Sequence, residues 1–166
     1  MSSIPKHMTE RRAELVSQIN DIKYILSMAE SQLNNALKEK KRKQDKAHIE
    51  TLRLIVMYWK EHLKANNYEK LMIDIMINGF EEQKSENIIK IASNLRPKFL
   101  NACAELCDLH SALVNTGRIE GFDDYSYMKL CKSKQSSVES FTELCDIIDE
   151  TAKRLDLSQP TRIILV

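Results

Sequence analysis

Apolar residues recur along this chain in steps of four and three. From Leu15 they run through Ile19, Ile22, Leu26, Ala29, Leu33, Ala36 and Leu37, with mostly Asn, Asp, Gln, Glu, Lys and Ser between them. That spacing predicts an amphipathic helix whose apolar stripe is narrow, as in a coiled coil. A second seam follows Ile88, Ala92, Leu95, Phe99, Ala102, Leu106, Leu109 and Leu113, and a third follows Val138, Phe141, Cys145, Ile148, Ala152 and Leu155. Between the first two lies a greasier region, Ile49 to Trp59 and then Leu71 to Phe80. Apolar all round, it predicts the buried centre of a bundle. The run Leu52–Trp59 also suits a strand, but its helical flanks favour helix.

Punctuation along the chain sets the boundaries. Thr9 is the expected first cap, with residues 1–8 a flexible tail. Asn78-Gly79 predicts a stop, Ser85 a cap for the next helix, and Pro97 a kink inside it. Asn115-Thr116-Gly117 ends that helix, and residues 116–124 form a loop closed by Asp123 or Asp124 as cap of a short helix through Cys131. Ser136-Ser137-Val138-Glu139 fits a capping box that opens a separate last helix. Leu157-Ser158-Gln159-Pro160 stops it, leaving 158–166 as a β-prone tail. The segment Lys38–Lys46 contains no apolar residue and no breaker, so continued helix and hairpin turn both remain open. The expectation is an all-α antiparallel bundle of four to six helices spanning 9–157, with 9–46 a long amphipathic helix that could extend outward.

Composition supports this class. Only 3 Gly and 3 Pro occur in 166 residues, too few for a turn-rich β fold. No apolar stretch is long enough to span a bilayer, and the opening MSSIPKHMTERR lacks the apolar core of a secretory leader. The four cysteines are therefore expected as thiols in the cytoplasm or nucleus. Net charge is +1, but unevenly spread: residues 1–84 carry 15 basic and 12 acidic side chains, and residues 85–166 carry 10 and 12.

Candidate chemistry is sparse. Gly79, Gly117 and Gly121 stand apart, so no loop of clustered glycines can cradle a phosphate. Cys103, Cys107 and His110 share one helix face and, with Cys131 or Cys145, could make a tetrahedral metal site. Their place beside an apolar seam favours core packing instead. Neither a cofactor nor a catalytic constellation is expected. The basic run Lys38, Lys40, Lys41, Arg42, Lys43 and Lys46 suits a solvated turn, a nuclear-import signal or a nucleic-acid contact, though no aromatic residue is interleaved for base stacking. The narrow first stripe, Leu15, Ile19, Ile22, Leu26 and Leu33, reads either as a surface for a partner helix or a homodimer, or as a helix lying across the edge of the chain's own bundle. The leading expectation is thus a non-enzymatic helical interaction module, a subunit or adaptor. Alternatives are a nucleic-acid accessory protein using the basic run, and a ligand carrier or small enzyme with a pocket near Tyr58 and Trp59.

Overall fold

The structure is a computed structural model that describes residues 6–158 except Gln83, with the backbone alone at Leu157 and Ser158. Four long helices carry the fold: α1 (Lys6–Lys38), α2 (Lys46–Asp74), α4 (Ser85–Thr116) and α5 (Asp124–Ser158); α3 (Phe80–Glu82) is a single turn. Among the described residues there is no strand. Paired contacts fix the antiparallel order: Arg11–Glu69 and Gln18–Asn66 between α1 and α2, Tyr58–His110 and the approach of Ile88 to Gly79 between α2 with its extension and α4, and His110–Ser126 and Phe99–Phe141 between α4 and α5. α2 is the hub, packing against α1, α4 and α5, while α1 packs almost wholly on α2. All-α bundle architecture is what the seams predicted.

Several boundaries differ from expectation. Residues 1–5 lie outside the described chain, but Lys6, His7 and Met8 are in α1 and Met8 is buried, so residues 6–8 are not flexible tail. Thr9 is not a cap; it sits in the helix, and its hydroxyl donates to the Lys6 carbonyl at 3.2 Å. The basic segment proves to be a turn. α1 stops at Lys38, a 3₁₀ turn follows at Lys41–Lys43, and Asp45 caps α2 by accepting from the amides of Ala47 and His48 at 3.1 and 3.2 Å. The Gln44 amide donates to the carbonyls of Leu37 and Glu39, satisfying acceptors that the end of α1 leaves unpaired.

Asn78-Gly79 does not stop α2 directly. The ladder instead widens into a π turn at Ile75–Gly79 and passes through α3. A side chain at Gly79 would meet Ile75 Cγ2 at 3.3 Å and Ile88 Cδ1 at 3.5 Å, so its bareness lets α4 approach. Ser85 is the first residue of α4 and is buried, and the cap position falls to Lys84, which makes no side-chain cap hydrogen bond. Pro97 is accommodated without a break. Gly117 ends α4 at φ 63°, the left-handed conformation that glycine adopts without strain. The loop then closes on Asp123 and Ser126, each accepting from the other's amide at 2.8 and 2.9 Å. From Asp124, one continuous helix runs to Ser158. The box at Ser136–Glu139 is therefore not a helix start: Ser137 is buried mid-helix, and burial of Lys134 before it and Phe141 after it carries the helix through a stretch of modest helix propensity. The tail sequence after Ser158 lies outside the described residues.

Candidate functional site

Of the residues expected to bind a partner, Leu15, Ile19, Ile22 and Leu26 are buried within the chain's own bundle, and Leu33 is half-buried. Leu26 and Ala29 pack with Val56 of α2, and Leu15 joins the main core with Ala65, Met72, Phe99 and Phe141. Of the two readings of the stripe, the bundle-edge one fits this burial, and the free partner surface does not. A narrow stripe suffices because α1 lies at the bundle's edge and needs to meet essentially one helix.

Lys38, Lys40, Lys41, Arg42, Lys43 and Lys46 are all exposed around the hairpin tip. Beside them, a concavity of about 600 Å³ is lined by Gln32, Lys43, Gln44, Asp45 and His48, among others. Cys103 is buried, and Cys107, Cys131 and Cys145 are half-buried and unbridged. No three metal-capable side chains converge among the described residues. Burial pushes the Cys103 and Cys107 thiols up to about 11, so neither is a ready thiolate at neutral pH. His110 is placed by Ser126, whose Oγ lies 3.2 Å from Nε2, and by the rings of Tyr58, Phe122 and Tyr127.

Trp59 stands at the head of a polar arrangement that the seams did not reveal. Its indole stacks flat on His62, centroids 5.5 Å apart. His62 in turn lines a cleft of about 260 Å³ between α1, α2 and α5, together with Arg11, Gln18, Asp21, Ile22, Leu130, Ser133 and Lys134. Next to it, Glu69 is 1% exposed and holds Arg11 in a fork, Nε to Oε2 at 2.7 Å and Nη2 to Oε1 at 3.0 Å. This bond raises the Arg11 pKa. Asn66 donates to Gln18 at 3.3 Å, and its own carbonyl oxygen is unpaired. Burial, reinforced by the charge of Lys134, pushes His62 down to about 3, so its ring is neutral and its Nδ1 unpaired. Lys134 is 6% exposed, and burial lowers its pKa against the opposing pull of Cys103 and Glu69. Two sequence signals mark this cluster. Glu69 falls on the stripe of Ala65, Met72 and Ile73, and Lys134 on that of Leu130, Val138 and Phe141.

The outer face of α1 carries a second four-three row: Glu10, Glu14, Ser17, Asp21, Tyr24, Met28, Ser31, Asn35 and Lys38, all exposed. Tyr24 is 68% and Met28 48% exposed, and Ile25 beside them is 37%. The row is acidic at one end, apolar at its middle and basic at the other. Comparison with protein-family models, curated proteins and solved structures gives no match. No helix in the described residues is long and apolar enough to cross a membrane.

Proposed function

We propose that this chain is a non-enzymatic helical interaction module that pairs with a second copy of itself through the outer face of α1. The observation that carries the reading is the exposed Tyr24, Ile25 and Met28 at the middle of a helix whose inner stripe is already satisfied by α2. Contiguous exposed apolar side chains mark contact surfaces more often than scattered ones do. Charge supports self-pairing. Tyr24 lies midway in sequence between Glu10 and Lys38, so two antiparallel copies crossing at Tyr24–Met28 would set the acidic end of each against the basic end of the other. Such a two-fold contact is self-complementary by construction. Unbridged cysteines fit a reducing compartment, cytoplasm or nucleus.

Light scattering on the full chain tests this. A dimer is expected, weakened by salt, and Tyr24→Lys with Met28→Lys should give a folded monomer whose melt, unlike that of the dimer, does not depend on protein concentration. A wild-type monomer at all concentrations, or a dimer that survives the double change, overturns the reading.

A further inference from the structure

Lys134 projects from α5 into the cleft between α1, α2 and α5, nearly fully buried and without a hydrogen bond or ion pair among the described residues. A buried ammonium is costly unless something compensates it. Its surroundings do so only in part, through the field of Glu69, and burial still lowers its pKa. The nearest buried carboxylate, Glu69, is committed to Arg11 through both oxygens. The cysteine thiols facing it, Cys103 and Cys107, stay protonated. His62 is neutral. Asp21 stands at the exposed rim of the cleft and makes no ion pair with it. Arg11 is balanced by Glu69 and Glu14, whereas Lys134 faces the cavity with no carboxylate paired to it among the described residues.

The walls narrow the ligand further. Ile22 and Leu130 give the cleft an apolar side suited to a hydrocarbon body. The volume, about 260 Å³, is roughly that of nine waters in the liquid, enough for a small molecule. Asp21 at the mouth disfavours a second negative charge. Arg11 could offer its remaining nitrogen, because Nη1 is held only by the exposed Glu14 at 3.0 Å, a screened and weak bond. We propose that this cleft binds a small monocarboxylic acid, its carboxylate on Lys134 and Arg11 and its apolar body against Ile22 and Leu130. This site shares only Asp21, at its rim, with the outer face of α1, and Lys134, Ile22 and Leu130 lie inside it, so the proposal does not rest on the chain's dimerising.

Trp59 is the chain's single tryptophan and stacks on His62 in the cleft wall, so its emission reports occupancy. The experiment titrates the full chain with hexanoate, its neutral isostere hexanamide and inorganic phosphate, at constant ionic strength. Hexanoate should give a saturable change, binding about tenfold or more tighter than hexanamide and tighter than phosphate. Lys134→Met should abolish the hexanoate response while melting no lower than wild type, and Lys134→Arg should restore it. Equal response to hexanoate and hexanamide, tighter binding of phosphate, or a hexanoate response that survives Lys134→Met overturns the proposal. Should Lys134→Met not fold, the comparison of the three ligands on the wild-type chain decides.

Discussion

Arg11 and Glu69, 58 positions apart in sequence, meet in a two-pronged ion pair whose carboxylate is sealed from solvent. Breaking a buried pair from one side costs more than the pair contributes, because the survivor is left uncompensated. The two sides are unequal here. Glu69→Gln strands both Arg11 and Lys134, and is expected to cost about 3–5 kcal/mol in urea unfolding. Arg11→Met leaves Glu69 with Lys134 nearby as a replacement cation, so its loss should be smaller. Equal losses would show that Lys134 does not share the carboxylate's field.

His62 makes stability depend on acidity. Its folded pKa, about 3, lies below the usual histidine value near 6.5, so the unfolded chain binds the proton first. The stability it contributes is complete above about pH 6.5 and is lost progressively as pH falls toward 3. His62→Gln removes that dependence. The variant should melt below wild type at pH 7, and the gap should close or reverse by pH 4. A gap constant across that range would refute the depressed pKa.

Two double substitutions on α1, two residues apart, should behave oppositely. Ile22→Lys with Leu26→Lys places two charges in the chain's own core, a penalty that exceeds a large part of the 5–15 kcal/mol typical of a domain. The product should be unfolded by circular dichroism. Tyr24→Lys with Met28→Lys touches positions exposed in the single chain and, at concentrations where wild type is monomeric, should unfold within about 0.5 kcal/mol of it.

Pro97 lies exposed inside α4 and deprives the ladder of one amide. Pro97→Ala should therefore stabilise the protein by about 1–3 kcal/mol, read from chemical unfolding. A loss would mean that the packing of Leu95 and Phe99 depends on the geometry that proline imposes.

Trp59 is half-buried between two apolar clusters rather than sealed, as its place at the end of the greasiest run suggested. Trp59→Ala should cost about 3 kcal/mol, the low end for an aromatic truncation. Its emission should be moderately blue-shifted and partly quenched by iodide.

The helices were legible because Leu15, Ile88 and Phe141 each begin or continue a seam that only a helix can bury. The capping signal at Ser136–Glu139 misled because a local motif has little weight against the burial of Lys134, Ser137 and Phe141 on one uninterrupted face. The stripe on α1 misled in the other direction. Its width was correct, but width alone does not distinguish a helix at the edge of its own bundle from one awaiting a partner. The cleft was hidden for a topological reason. Arg11, Glu69 and Lys134 come from three helices; Glu69 and Lys134 sit on apolar stripes, which marks them for burial but not for each other, and Arg11 resembles an ordinary surface charge. Only the hairpin turns bring them together, and turn geometry at Lys38–Lys46 was the part that helix propensity left open.

The π turn at Ile75–Gly79 holds one more residue than a regular helical turn would. Such a turn is a reversible insertion: removing one residue there lets the ladder relax to ordinary α-helix while α2 upstream keeps its facing. The junction into α4 is thus where this fold can absorb a change of chain length, and a single deletion between Ile75 and Gly79 should be tolerated far better than one at Leu15, Tyr58 or Leu106.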